Sequence, residues 1–102
     1  MNKDFRSYNL AVKLYQEAKK IKASYYVKDQ LLRASFSVCL NLSEGNGRRT
    51  VKDKRKFYNI AFASLREVQS IIHIENFNQL IQYADILGAY LYKLERNVYI
   101  KK

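Results

Sequence analysis

The stretch that decides the fold is residues 33–48, which read RASFSVCLNLSEGNGR. Its apolar residues recur at the three- and four-residue spacings of an amphipathic helix, and this pattern stops at Gly45-Asn46-Gly47. Because glycine commonly ends helices, the stretch predicts that a helix finishes here and that the chain then reverses. We therefore predict a positive φ angle at Gly45 or Gly47, where glycine carries no steric cost.

Outward from this turn, weaker breaks at Ser24-Tyr25-Tyr26 and Asn76-Phe77-Asn78 divide the rest of the chain. They predict helices over residues 4–23, 27–45, 51–75 and 79–99, and helices of about 20 residues are about 30 Å long. Thr50 followed by Asp53 is typical of a capped helix start. The absence of proline and the presence of only three glycines disfavour a turn-rich β fold. The sequence therefore predicts one all-α domain over residues 1–102, an antiparallel up-and-down four-helix bundle.

The second and third predicted helices carry more apolar surface than one core-facing stripe of a little over about 100° requires. In the second helix the predicted core face consists of Leu31, Ser35, Val38 and Leu42, and the apolar arc continues to one side with Leu32, Phe36 and Cys39. In the third helix the predicted core stripe consists of Phe57, Ala61, Ser64, Val68 and Ile71. An adjoining apolar flank consists of Tyr58, Phe62 and Leu65. We interpret this flank as an interface between subunits. The alternative is that these are the scattered surface apolar residues that small proteins commonly carry.

A polar strip runs along the second predicted helix at helical spacing and consists of Arg33, Ser37, Asn41 and Glu44. The third helix offers Ser64 and Glu67 as partners. We interpret these residues as a structural network that fixes the helix register and the central turn. The alternative is a catalytic site in which the two glutamates act as an acid/base pair. Because no nucleophile–base pair, cofactor loop or thiolate cluster is recognisable, we expect no enzymatic activity, no cofactor and no metal.

Positive charge dominates the composition, with 19 Lys and Arg against nine Asp and Glu and a net charge of +10. The densest run is residues 48–56, and the candidate nucleic-acid-binding residues are Arg48, Arg49, Lys52, Lys54, Arg55, Lys56 and Arg66. A second cluster, Lys19, Lys20 and Lys22, lies at the end of the first predicted helix. Such runs are either phosphate-binding surfaces or merely solvated ones. We attribute the tyrosines to packing rather than to base stacking.

The sequence contains no long apolar segment. The first residues do not lead into a continuous apolar stretch, and nowhere is there an uncharged run of about 18 residues. We therefore expect a cytoplasmic protein without a membrane partner.

The stretch over residues 33–48 resembles the signature RRA..S...NIAEG.GR of a known family. The segment from Phe57 to Glu67 is similar to that family's F…A.GS..E, with Ala63 in place of a usual glycine. The family is a bacterial four-helix-bundle family that includes proteins encoded in intervening sequences of large-subunit ribosomal RNA genes. The accessory proteins of diversity-generating retroelements are similar in fold and size.

This resemblance implies a ring-like homopentamer without established catalytic activity, for which nucleic-acid binding is the usual expectation. Three functional hypotheses follow. The first is a non-enzymatic oligomer that binds RNA or DNA through the basic turn and the third helix. The second is a protein scaffold, such as the accessory subunit of a retroelement reverse transcriptase. The third, an enzyme that uses Glu44 and Glu67, ranks last.

Overall fold

The chain folds into four α-helices, and the computed structural model describes the backbone of residues 3–100 and the side chains of residues 5–94. The helices are α1 (Lys3–Ala18), α2 (Tyr25–Asn46), α3 (Val51–Glu75) and α4 (Ile81–Ile100), with a 3₁₀ turn at Asn78–Leu80 before α4. No strand occurs within residues 3–100. The prediction of an all-α four-helix protein is therefore confirmed.

The helices follow one another around the bundle. Each packs against the next in sequence, and α4 also packs against α1. Their antiparallel course is marked by Ser37 of α2, which lies opposite Ser64 of α3, and by Arg6 of α1, which bonds Tyr90 of α4. The resulting body measures 43 × 22 × 20 Å. None of the helices in the described part of the chain combines the length and the apolar character that crossing a membrane requires.

Buried apolar side chains from all four helices form one core cluster. In α2 the predicted core face is confirmed, because Leu31, Val38 and Leu42 are each fully buried. Ser35 is buried on the same face, and its hydroxyl donates a hydrogen bond to the carbonyl of Leu31 (2.8 Å). This bond satisfies a polar group that would otherwise destabilise the core.

The buried stripe of α3 is rotated relative to the predicted one and consists of Tyr58, Ala61, Leu65, Val68 and Ile72. Phe57, Ser64 and Ile71, which were predicted to be core residues, are half-buried at its edge. The prediction that Tyr58 and Leu65 form a subunit interface is wrong, because their side chains, 2% and 0% exposed, fill the core of a single copy. Phe62, the third residue of that flank, is half-buried and packs against the core cluster.

The first helix ends at Ala18, five residues before its predicted end. The Lys28 ammonium donates hydrogen bonds to the carbonyls of Lys19 and Ile21, each at 2.7 Å, and thereby holds the connecting loop. The hydroxyl of Ser24 then caps α2. Tyr25 therefore begins a helix instead of lying in a break. By contrast, α3 begins as predicted, with the Asp53 N–H donating to the Thr50 hydroxyl (3.1 Å).

The prediction of a positive φ angle at Gly45 or Gly47 is wrong. Gly47 ends α2 with φ of −87°, and Gly45 lies within the helix. Among the described residues the positive φ angle belongs to Asn76, at 59°, where α3 ends. Gly45 is needed for close packing instead, because a Cβ atom there would lie 2.6 Å from Cε1 of Tyr58. The ring of Tyr58 occupies the space that a side chain would take.

Candidate nucleic-acid interface

The connection between α2 and α3 is held by side chains that reach back from α3. The Tyr58 hydroxyl donates a hydrogen bond to the side-chain oxygen of Asn46 (2.8 Å). The Lys54 ammonium lies 3.4 Å from the Gly45 carbonyl oxygen and 3.5 Å from that of Asn46. Carbonyls at the end of a helix lack intrahelical donors and carry partial negative charge, so a cation there is stabilising. Lys54, a predicted nucleic-acid contact, is therefore engaged within the protein, where it stabilises the end of α2.

Arg48 is also engaged within the protein. Its guanidinium donates to a carboxylate oxygen of Glu44 at 2.6 Å and lies 4.7 Å from the ring centroid of Phe57. The Glu44 carboxylate therefore lies towards the turn, as the structural-network interpretation predicted. Both members of this ion pair remain exposed. The pair neutralises the first cation of the predicted basic run.

The polar strip of α2 contacts α3 near the middle of both helices. The hydroxyls of Ser37 and Ser64 share a hydrogen bond of 2.8 Å. The Asn41 amide donates to the Ser37 carbonyl (2.9 Å) and to its hydroxyl (3.2 Å). Arg33 and Glu67 are exposed and take no part in these bonds between described side chains. The network is thus smaller than predicted, and it fixes the register of α2 against α3.

The two glutamates of the catalytic alternative are not brought together. Because Ser37 lies opposite Ser64 in an antiparallel pair, Glu44 and Glu67 extend from that level in opposite directions. At 1.5 Å per residue, about 15 Å of helix axis separates them. Burial raises the pKa of the Cys39 thiol to about 11, which leaves this side chain a poor nucleophile at neutral pH. Within residues 5–94 no group of three or more His, Cys, Asp or Glu side chains is placed to hold a metal ion.

Four exposed cations form what we call the basic face: Arg49, Lys52, Lys56 and Arg66. From Lys54 to Arg66 the sequence contains no acidic residue. The distance from Lys52 to Arg66 along α3 is about 21 Å, and about six phosphates of one duplex strand occupy that length. Arg55, which was also predicted to bind nucleic acid, is half-buried at the side of this face.

Sequence reasoning missed one surface feature. The loop between α1 and α2 carries Lys19, Lys20 and Lys22, and it is followed by Tyr25 and Tyr26, which are 86% and 72% exposed. The assignment of the tyrosines to packing is therefore wrong for these two rings. The available signal was their position directly after the N-cap Ser24, in a first turn that projects beyond the core.

One of these lysines, Lys20, pairs with the acidic residue Glu17. Its carboxylate accepts a hydrogen bond from Lys20 (2.9 Å), which lowers the pKa of Glu17, and it also lies 3.4 Å from the Lys13 ammonium. The Lys19 ammonium lies 5.2 Å from the ring centroid of Tyr15. The loop thus retains positive charge beside two exposed aromatic rings.

Comparison with known proteins adds one finding. The family described as 23S rRNA-intervening sequence protein matches residues 5–95, a range that covers most of α1 and α4 and all of α2 and α3. No curated protein and no solved structure matches the chain.

Proposed function

The chain belongs to the 23S rRNA-intervening sequence protein family, and on this premise we propose that it is a non-enzymatic, oligomeric RNA-binding protein of the cytoplasm. The basic face binds the phosphate backbone of the nucleic acid. The observation that carries this proposal is the row of exposed cations on α3, which continues into the turn at Arg49. Between Arg49 and Arg66 the sequence contains one acidic residue, the half-buried Asp53.

The geometry favours contacts with the backbone over contacts with bases. Lysine and arginine side chains on the outside of a bundle reach phosphates, which position a protein without reporting the base sequence. Each neutralised phosphate releases counterions, so the affinity falls steeply as the salt concentration rises. Because phosphates carry no base information, binding is largely tolerant of sequence. DNA of similar shape offers the same phosphates.

Reversal of two charges tests this proposal. Lys52→Glu combined with Lys56→Glu alters the basic face at two exposed positions. The matched control combines Lys13→Glu with Lys93→Glu, which changes the net charge equally at exposed positions on α1 and α4. We expect the first pair to weaken binding of a labelled RNA duplex about ten-fold or more and the control to weaken it about two-fold, measured by anisotropy at several salt concentrations. Equal losses of affinity in the two double variants, or an affinity that does not change with salt concentration, would contradict the proposal.

We also propose that the chain forms a homo-oligomer, the pentamer that the family resemblance implies. A single copy leaves large apolar side chains in water, among them Phe36 and Leu40 of α2, which are 47% and 53% exposed and lie one turn apart. Burial of such a pair between subunits is favourable by about 25 cal/mol for each Å² of apolar surface. The exposed pair on α2 thus replaces the predicted flank on α3 as the evidence that supports an oligomer.

The assembly is tested by light scattering on the 12.1 kDa chain. Leu40→Glu places a carboxylate on the α2 surface without disturbing the core, and we expect it to dissociate the oligomer because burial of an unpaired charge is costly. Tyr92→Glu on α4 is the matched control, since Tyr92 is also 53% exposed. A wild-type chain that stays monomeric at micromolar concentration would contradict the assembly.

A second candidate function is a scaffold for a protein partner such as a retroelement reverse transcriptase. The exposed pair Phe36 and Leu40 favours it equally, because the same apolar surface can contact a different protein. A reverse-transcriptase gene beside this one, together with direct binding that Leu40→Glu abolishes while self-assembly persists, would establish the scaffold. An adjacent ribosomal RNA gene favours the RNA-binding function.

A further inference from the structure

Two neighbouring aromatic rings stand in water at the start of α2. Tyr25 is 86% exposed and Tyr26 is 72% exposed, although tyrosine rings contribute most when they are buried. Their backbone is well held, because Ser24 caps the helix and Lys28 bonds the loop carbonyls of Lys19 and Ile21. The rings therefore project from a fixed position rather than from a loose loop.

The charges around these rings are unevenly distributed. On the loop side lie Lys19, Lys20 and Lys22, all exposed. On the α3 side, Tyr26 lines a groove of about 400 Å³ together with Glu67 and Glu75. A polyanion that contacts the rings is therefore attracted along the loop and repelled from the groove.

We propose that the α1–α2 loop is a second RNA contact, where unpaired bases stack on Tyr25 and Tyr26 while the loop lysines bind the adjoining phosphates. Every base has a flat π face, so stacking on tyrosine favours single strands without requiring a sequence. Bases within a duplex are already stacked on one another and are therefore not available to stack on these rings. This inference rests on the proposed function and adds single-stranded RNA as the ligand of a separate surface.

The position of the two surfaces specifies the RNA further. The rings begin α2, whereas the basic face starts beyond the far end of this 22-residue helix, about 33 Å away. From there it runs back along α3 to Arg66, which is about 15 Å from the rings along the bundle axis. A duplex with an unpaired extension fits this arrangement, because the basic face takes backbone phosphates and the rings take free bases.

The test compares two labelled RNAs, an oligouridine of about twelve nucleotides and a duplex of equal length, by anisotropy. We expect Tyr25→Ala combined with Tyr26→Ala to weaken oligouridine binding about ten-fold or more and duplex binding about two-fold or less. Tyr25→Phe combined with Tyr26→Phe keeps both rings and should bind oligouridine like the wild type. Tyr92→Ala removes another exposed tyrosine ring, 53% exposed and on α4, and should change neither affinity.

Three results of this experiment would contradict the stacking contact. Unchanged oligouridine binding by the double alanine variant, or equal loss for both RNAs, would overturn the stacking contact. Dissociation of the oligomer by the same variant would show instead that the rings contact another subunit. Charge reversal at Lys52 and Lys56 reports separately on the proposed function, because it affects duplex binding whether or not the tyrosines stack.

Discussion

Gly45→Ala should destabilise this protein, although alanine is the better helix former. Gly45 lies inside α2 at an ordinary helical conformation, so propensity alone predicts a gain of about 1 kcal/mol. The new Cβ atom, however, would lie 2.6 Å from Cε1 and 2.9 Å from Cδ1 of Tyr58, and 3.2 Å from Cβ of Phe57. The contact with the ring is about 1 Å closer than carbon atoms tolerate.

Relief of this clash is costly because the ring is constrained. Tyr58 is 2% exposed, and its hydroxyl bonds Asn46 at 2.8 Å, so a shift of the ring loosens the core and breaks that hydrogen bond. Overpacking typically costs about 1–3 kcal/mol, and the lost hydrogen bond adds about 1 kcal/mol. After the gain in helix propensity is subtracted, we expect a loss of about 2 kcal/mol in the free energy of unfolding. In a domain of this size that loss lowers Tm by roughly 8–16 °C.

The assay is urea and thermal unfolding followed by circular dichroism, with the other two glycines as controls. A Cβ atom on Gly47 would have its nearest neighbour at 3.7 Å, and one on Gly88 would meet the flexible end of Gln69 at 3.3 Å. Both alanine variants should therefore be neutral or slightly more stable. In the Gly45→Ala background, Tyr58→Leu should cost less than it does in the wild type. If Gly45→Ala is as stable as the wild type, the close-packing argument fails.

Three further predictions concern other positions. Asn76→Ala should lower the unfolding free energy by about 1 kcal/mol in urea titration, while Asn76→Gly should preserve it, because φ is 59° there. Ser37→Ala and Ser64→Ala should each cost about 1 kcal/mol and the double variant little more, since a single substitution leaves the other hydroxyl without its 2.8 Å partner. At pH 8 about one Cys39 thiol in a thousand is ionised, given its pKa of about 11, so native labelling by a disulfide reagent should be slow and become fast in urea. Rapid native labelling would contradict the burial of Cys39.

Local chemistry made part of the fold predictable from the sequence. The start of α3 depends on one hydroxyl and an N–H three residues later, Thr50 and Asp53, and both are visible in the sequence. The core face of α2 follows from apolar spacing alone, with Leu31, Val38 and Leu42 all buried. In each case the decisive sequence pattern lies within one helix or its first turn.

Contacts between helices decided the features that were not predictable. The end of α1 depends on Lys28, which bonds loop carbonyls seven and nine residues earlier. The rotation of the α3 stripe depends on the space beside Gly45, which accepts the ring of Tyr58 and makes it a core residue. A helical wheel contains neither kind of information, because it treats each helix as isolated.

The same limits apply to the candidate site. Composition indicated the cations of residues 48–56, and Arg49, Lys52 and Lys56 are indeed exposed. It did not indicate that Lys54 lies at the end of α2 or that Arg48 pairs with Glu44. These two cations are engaged within the protein because the α2–α3 pairing brings carbonyls and a carboxylate within their reach.

The order in which the helices pack also determines how the chain acquires its structure during synthesis. Since each helix contacts the next one along the chain, most contacts join residues close in sequence, and such topologies fold in microseconds to milliseconds. A ribosome adds only about 5–20 residues each second. The α1–α2 hairpin therefore has time to equilibrate before α3 is complete, and α4 closes against α1 as the last step. Folding of the described bundle is therefore limited by translation rather than by the search for its contacts.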